Sequence, residues 1–111
     1  MKYYAYISIG GEDRIRIFAM NPETGKLTPR GDMPVAGSPG PLAIDPGRAF
    51  LYAGLRSTRR LLSFRLDRDT GNLTSIGDVS LEADPCYIAP DRRGRFLFSA
   101  YYGAGLVAVH G

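Results

Sequence analysis

A 46-residue repeat runs through this chain and constrains its fold more than any other feature of the sequence. The segment Thr-Gly-Lys-Leu-Thr at residues 24–28 returns as Thr-Gly-Asn-Leu-Thr at residues 70–74. The same offset superposes residues 4–6 on residues 50–52 and then on residues 96–98, and no gap is needed. A match kept in register over two periods predicts that successive segments form the same structural unit.

Each period contains short strands separated by turns. Residues 14–17 alternate between arginine and isoleucine, which is typical of a strand with one packed face. The loops at residues 21–26 and 67–72 each contain a glycine that can take positive φ and close a hairpin. Lettered A to D within one unit, the predicted strands are B at 3–9 and C at 14–20, then A at 41–44, B at 50–55, C at 60–66 and D at 73–80, then A at 86–89, B at 96–101 and C at 106–110.

Four antiparallel strands in each repeat of this length are typical of a β-propeller blade. The sequence therefore predicts an all-β fold, a β-propeller of four-stranded antiparallel blades with about two and a half blades in this chain. The blade segments are expected at residues 1–35, 36–81 and 82–111. A parallel β/α repeat is excluded because no period holds an amphipathic segment of helical length.

A propeller closes at about four to eight blades, so this number of blades leaves two apolar blade faces open. Two explanations remain. The chain is a fragment of a longer polypeptide, or other copies complete the ring by self-association through the open blade faces.

Composition excludes several classes of partner. The net charge is +3, but the adjacent basic pairs at residues 59–60 and 92–93 are separated by aspartates, so we expect no nucleic-acid surface. No apolar run of about 18 residues is present, which excludes a membrane helix, and the first segment lacks the apolar core of a signal peptide. The single cysteine, Cys86, can form no internal disulfide, and together these features predict the cytoplasm.

An ordered set of segments resembles a known family. The set comprises Tyr-Ile at 6–7, Ile-Arg-Ile-Phe at 15–18, Asp-Pro-Gly-Arg-Ala-Phe-Leu-Tyr-Ala-Gly-Leu-Arg at 45–56 and Ser-Ala-Tyr-Tyr-Gly-Ala-Gly-Leu-Val-Ala-Val at 99–109. It resembles the N-terminal part of the seven-bladed lactonase family, typified by 6-phosphogluconolactonases, although Tyr101 stands where asparagine is common. The resemblance implies hydrolysis of a sugar-acid lactone, with a phosphorylated sugar lactone as substrate and with no metal or organic cofactor.

Three residues are candidates for binding that substrate. Antiparallel strands place the B–C loops and the D–A connections on one rim, where ligands commonly enter the central channel of a propeller. Arg56 matches the family arginine, and its guanidinium suits a phosphate or carboxylate unless it is paired with an aspartate such as Asp13. Tyr102 can donate a hydrogen bond to a sugar oxygen, and Gly103 lets the backbone approach closely. The alternative for this loop is a tight turn carrying a stacked aromatic ring.

No catalytic residue can be assigned. His110 takes the place of a phenylalanine in each earlier period, so we expect it to pack between blades. Cys86 is expected to be a small buried thiol, and Glu12 and Asp13 to be turn residues. By resemblance, the catalytic residues of the family lie in later blades, so this chain alone is expected to be inactive. A non-catalytic propeller module that binds a protein or glycan, or a short module that self-assembles into a ring, is the alternative function.

Overall fold

The computed structural model describes residues 2–111, in which the chain forms ten β-strands and one short 3-10 helix. The strands are β1 Tyr3–Ile9, β2 Arg14–Met20, β3 Leu27–Pro34, β4 Pro39–Ile44, β5 Phe50–Leu55, β6 Arg60–Leu66, β7 Leu73–Ser80, β8 Tyr87–Pro90, β9 Leu97–Tyr101 and β10 Leu106–His110. The helix, Gly10–Glu12, lies in the β1–β2 loop and was not predicted.

The strands form three antiparallel sheets, each of which is a blade or part of one. The first blade contains β1, β2 and β3, the second contains β4 to β7, and the third contains β8, β9 and β10, with consecutive strands adjacent in each. The pairing of β2 with β3 is irregular between Ile17 and Phe18, and that of β6 with β7 is irregular between Ser63 and Phe64. These irregularities occupy equivalent positions of the repeat, which confirms the predicted β-propeller architecture of repeated antiparallel blades.

The hydrophobic core lies between the blades. Because successive side chains of a strand point to opposite faces, Leu51 and Ala53 of β5 pack against the first blade and Tyr52 packs against the third. The core between the first and second blades comprises Ile15, Ile17, Val35, Leu51, Ala53, Leu55, Phe64 and Leu73. The core between the second and third blades comprises Leu61, Leu81, Ile88, Leu97 and Tyr101.

Three strands have bounds that differ from the prediction. β4 begins at Pro39 rather than at residue 41, because Pro39 already pairs with Leu55 across an irregular register. β8 is displaced by one residue, although the Cys86 amide still donates to the carbonyl of the facing strand. β9 begins at Leu97, which is the first residue of that strand to pair with both neighbours, with Pro90 of β8 and His110 of β10.

The turns follow the predicted chemistry. Gly25 and Gly71 take positive φ values of 77° and 80° in the two C–D hairpins. In the A–B turns the left-handed residue is Arg48 in the second blade (φ 56°) and the equivalent Gly94 in the third (φ 69°).

Both outer blade faces carry exposed apolar side chains. On the third blade, Val107 is 73% exposed, because its neighbour Ala108 points to the second blade and Val107 points away from it. Val109 shares that outward face, and Ile7 is exposed on the opposite face of the first blade.

No helix in the described part of the chain is long and apolar enough to cross a membrane.

Candidate functional site

One rim of the blade stack contains a cavity of about 710 Å³ between the second and third blades. It lies where the β5–β6 and β9–β10 loops meet the connection between β7 and β8. The lining residues are Arg56, Arg59, Glu82, Ala83, Asp84, Cys86, Tyr102, Gly103 and Ala104. The three residues singled out in the sequence, Arg56, Tyr102 and Gly103, therefore border one cavity.

Arg56 is held by a carboxylate of the neighbouring blade. Its Nε donates to Asp84 Oδ1 at 2.7 Å and its Nη2 donates to Asp84 Oδ2 at 3.0 Å, so the pair is bidentate. The predicted alternative, that an aspartate pairs with Arg56, is therefore confirmed, but Asp13 is the wrong aspartate, because its carboxylate accepts the backbone N–H of Ser38 at 2.9 Å. Arg56 continues the alternation of β5, in which even-numbered side chains face the third blade.

The Arg56–Asp84 pair is fully ionised near neutral pH. The hydrogen bonds from Arg56, together with the positive charges of Arg56 and Arg59, hold the pKa of the Asp84 carboxyl below its usual range. The same hydrogen bonds and the negative charge of Asp84 raise the pKa of Arg56 further. The side chains are about half exposed, 52% for Arg56 and 46% for Asp84, so solvent screens their attraction.

Two further contacts fix the arginine. The backbone N–H of Arg56 donates to the Ser38 carbonyl at 2.9 Å, which ties the end of β5 to the connection before β4. The aliphatic stem of Arg56 packs over the backbone of β4 at Gly40. The guanidinium therefore stands at a defined point of the rim.

The β9–β10 loop forms another part of the cavity wall. Tyr102 is 89% exposed, so its ring is not stacked in a tight turn, and its backbone N–H donates to Cys86 Sγ at 3.0 Å. Cys86 was expected to be buried, but it is half-buried and lines the cavity because it precedes β8 at the rim. No atom lies within 4 Å of the place where a Cβ of Gly103 would stand, so this glycine leaves the mouth of the cavity open.

The repeat explains how the site arises. Gly10, Arg56 and Tyr102 occupy the same position of three successive blades, at the end of strand B. Ser38 and Asp84 are likewise equivalent, and a Cβ at Gly10 would stand 2.8 Å from Ser38 Oγ. The end of strand B thus meets the D–A connection of the next blade in both interfaces. That rule, together with the alternation of β5 that directs Arg56 toward the third blade, is the signal that could have identified Asp84 as the partner of Arg56.

The remaining candidates lie away from the cavity. His110 is at the interface of the second and third blades, where its Nε2 lies 2.9 Å from Ser99 Oγ. Glu12 forms an ion pair with Arg14 beside the β1–β2 loop. Among residues 2–111, no group of three or more histidine, cysteine, aspartate and glutamate side chains is arranged to hold a metal ion.

A second cavity, of about 560 Å³, lies on the opposite rim between the first two blades. Tyr4 and Tyr6 form part of its wall, and their hydroxyls donate to the carbonyls of Asp69 and Gly71 at 2.7 and 2.6 Å. These tyrosines already connect the first blade to the second, so their hydroxyls are engaged in packing.

The stacked antiparallel sheets and the cavity on their rim define a segment of a β-propeller. The chain belongs to the lactonase family of seven-bladed β-propellers, whose family profile matches residues 3–111. A search of curated proteins finds no match to the sequence.

Solved structures share the fold. A candidate 6-phosphogluconolactonase from Bacteroides fragilis matches with a TM-score of 0.85 and 20% identity over 96% of this chain and 31% of that one. The periplasmic gluconolactonase PpgL of Pseudomonas aeruginosa matches with a TM-score of 0.85 and 23% identity over 96% and 31%. A candidate 6-phosphogluconolactonase from Bacteroides uniformis matches with a TM-score of 0.76 and 17% identity over 96% and 36%. At these identities the likeness shows the fold, and the chain spans about a third of the length of these proteins.

Proposed function

We propose that this chain forms part of a propeller that hydrolyses a sugar-acid lactone, and that Arg56, Tyr102 and Gly103 bind the substrate. The observation that carries the proposal is that these residues border one rim cavity in a chain of the lactonase family. The cavity volume lies within the range of small-molecule sites, about 300 to 1,000 Å³.

Hydrolysis of a lactone requires a base that activates water and a donor that stabilises the oxygen on which negative charge develops. Arg56 and Arg59 supply donors at the cavity. As the resemblance to the lactonase family implies, we place the catalytic base in other blades of the ring. The one histidine of the sequence packs between blades, in keeping with that assignment. The part assigned to this chain is therefore to bind and orient the lactone, without a metal or organic cofactor.

Two finer assignments belong to the same proposal. The substrate is 6-phosphogluconolactone, as the resemblance to 6-phosphogluconolactonases implies. The compartment is the cytoplasm, in keeping with a single cysteine that has no cysteine partner in the sequence.

The test is binding of the ring-opened product, 6-phosphogluconate, to the full chain, followed through the amide NMR signals of Tyr102 and Gly103. Arg56→Ala should weaken binding roughly tenfold or more, because a charge-assisted hydrogen bond is lost. Arg92→Ala removes an exposed arginine from a turn on the opposite rim and should leave binding unchanged. Signals that do not move with the native chain, or move equally with Arg56→Ala, would contradict the proposal.

A non-catalytic module that binds a glycan or protein at the same rim is the second candidate. It is favoured by the position of His110, which faces a blade interface rather than the cavity. Such a module would bind an intact glycan as well as 6-phosphogluconate, and a ring containing this chain would release no acid from a lactone in a pH-stat.

A further inference from the structure

We infer that the Arg56–Asp84 pair binds adjacent hydroxyl groups of the uncharged sugar ring and is not the seat of a phosphate. The inference rests on the proposed function and states which part of the ligand this cavity receives. Any phosphate group of the ligand must then bind to another part of the propeller.

The first argument is the occupancy of the guanidinium. Arg56 Nε and one N–H of Nη2 already donate to the two carboxylate oxygens of Asp84. Three N–H groups of Arg56 remain, two on Nη1 and one on Nη2, together with the free lone pairs of the Asp84 oxygens. A phosphate on that remaining edge would bind a guanidinium whose charge the Asp84 carboxylate already neutralises.

This combination matches hydroxyl groups. Each sugar hydroxyl both donates and accepts, so one can accept from Arg56 while its neighbour donates to Asp84. The two groups stand side by side because they are bound to each other at 2.7 and 3.0 Å. A phosphate has acceptor oxygens only for Arg56 and would meet the Asp84 carboxylate with like charge.

The charges of the cavity give the second argument. The ionisable groups of its lining, apart from the thiol of Cys86 and the phenol of Tyr102, are the arginines Arg56 and Arg59 and the carboxylates Glu82 and Asp84. Their formal charges cancel. A phosphate ester carries a charge of about −1.5 to −2 at neutral pH and gains no net electrostatic attraction from such a lining. Binding of an uncharged sugar ring does not depend on such attraction.

The remaining residues of the cavity lining suit a sugar ring. Tyr102 lines the same cavity as the Arg56–Asp84 pair, and its exposed phenol offers an apolar face with a polar end. Gly103 and Ala104 add little bulk beside it. Because the side chain of Arg56 lies against Gly40 and is bound to Asp84, little side-chain freedom has to be lost on binding.

The experiment compares glucose with glucose 6-phosphate, which have the same ring and differ by the phosphate. Both are titrated into the full chain, and the NMR signals of Gly103 and of the Arg56 side chain are followed. We expect glucose 6-phosphate to bind no more tightly than glucose. Tighter binding of glucose 6-phosphate that disappears at high salt would overturn the inference.

Asp84→Asn separates the two roles by the sign of its effect. If the pair binds hydroxyls, this variant loses an ionised acceptor and binds glucose roughly tenfold more weakly. If Arg56 binds phosphate, removing the competing charge frees the guanidinium and strengthens binding of glucose 6-phosphate. Asp78→Asn is the matched control, because Asp78 accepts a hydrogen bond from Arg60 and does not line the cavity.

Arg56→Lys provides a second, independent variant. Lysine keeps the charge but not the planar fork that holds Asp84, so glucose binding should fall while a phosphate contact would largely survive. Retained glucose binding in both Arg56→Lys and Asp84→Asn would overturn the inference.

The failure of this inference can be distinguished from failure of the lactonase proposal. If Asp84→Asn strengthens binding of both 6-phosphogluconate and glucose 6-phosphate, the lactonase proposal stands and the hydroxyl role is wrong. If glucose binds through Asp84 but 6-phosphogluconate and gluconate do not bind, the hydroxyl role stands and the lactonase proposal is wrong.

Discussion

Gly40 lies directly beneath the side chain of Arg56: a Cβ at Gly40 would stand 2.8 Å from Cδ and 2.9 Å from Cγ of the arginine. Real Cβ contacts are longer than this, so any larger residue at position 40 must displace Arg56. The position of the guanidinium at the rim therefore depends on a residue of β4 that makes no contact of its own with the cavity.

Gly40→Ala should weaken ligand binding without unfolding the chain. The flexible arginine can swing away from the new methyl group, but it then loses the bidentate contact with Asp84. We expect a roughly tenfold loss of glucose affinity, comparable to losing a charge-assisted hydrogen bond. Gly11→Ala is the control, because no atom lies within 4 Å of its would-be Cβ. Equal affinities of the two variants would show that Gly40 does not position Arg56.

Acid should destabilise the fold through the aspartates of its turns. In the folded chain Asp67 accepts the backbone N–H groups of Asp69 and Thr70, which lowers its pKa from the usual 3.8. A carboxyl whose pKa is lower in the folded state stabilises the fold above its unfolded-state pKa, and this contribution is lost as the pH falls. We therefore expect the urea midpoint to be steady above about pH 5 and to fall below about pH 4.

Asp67→Asn should flatten that pH dependence and keep the turn. The equivalent residue of the first blade is Asn21, whose side-chain oxygen accepts the Glu23 N–H at 2.9 Å in the same geometry. Asp69→Asn serves as control, since within residues 2–111 hydrogen bonds of Asp69 involve its backbone and not its carboxylate. A urea midpoint that changes with pH as steeply in Asp67→Asn as in the native chain would refute this assignment.

Ser99→Ala should destabilise the interface of the second and third blades. Ser99 Oγ lies 2.7 Å from the Tyr101 hydroxyl and 2.9 Å from His110 Nε2, and both Ser99 and Tyr101 are buried. The variant leaves a buried hydroxyl without its partner, which costs about 1–3 kcal/mol of unfolding free energy in a urea titration. A loss below about 0.5 kcal/mol, the size typical of surface substitutions, would argue against the network.

Replacing the whole network should recover most of that loss. The triple variant Ser99→Ala, Tyr101→Leu, His110→Phe reproduces the residues at equivalent positions of the preceding interface, which are Ala53, Leu55 and Phe64. Removing all partners together leaves no unpaired buried group, whereas removing one does. We expect the triple variant to unfold at a higher urea concentration than Ser99→Ala. A lower midpoint would show that the two interfaces differ in shape as well as chemistry.

Val107→Lys should reduce self-association of the chain. Val107 is 73% exposed on the outward face of the third blade, and a lysine there would place a charge in any contact between open blade faces. Light scattering should show a lower mean mass than for the native chain at the same concentration. Ile76→Lys, at a residue 47% exposed on the edge strand β7, is the control and should leave the mass unchanged. A native chain that is already monomeric would contradict the expected association.

The repeat predicted most of the fold because turn residues and alternating apolar residues, which act locally, recur in each period. Strands β5, β6 and β7 have the predicted bounds, since each is bounded by turn residues whose backbone preferences are local. The differences lie in strands A and B, at residues 39, 87 and 97, where the residues of the facing strands decide which positions join the ladder. Those partners are distant in sequence, so local patterns cannot specify them.

The candidate site was predictable as a group but not in its contacts. Alternation of antiparallel strands placed Arg56, Tyr102 and Gly103 on one rim, and they border one cavity. An aspartate was predicted as an alternative partner of Arg56, but the example, Asp13, lies in the wrong neighbouring blade, because sharing a rim does not specify which blade a side chain approaches. The half-exposed position of Cys86 was missed for a related reason, since inner-strand residues are buried only where another blade covers them.

The end of strand B carries glycine, arginine and tyrosine in turn at residues 10, 56 and 102, above strands that otherwise match from blade to blade. The side chain presented at the rim can therefore differ between blades of the same architecture, provided that the strand beside it leaves room, as Gly40 does for Arg56. Ligand specificity can change in one blade at a time. It requires the exchange of one side chain at the end of strand B and of its partner in the D–A connection of the next blade, while the fold stays the same.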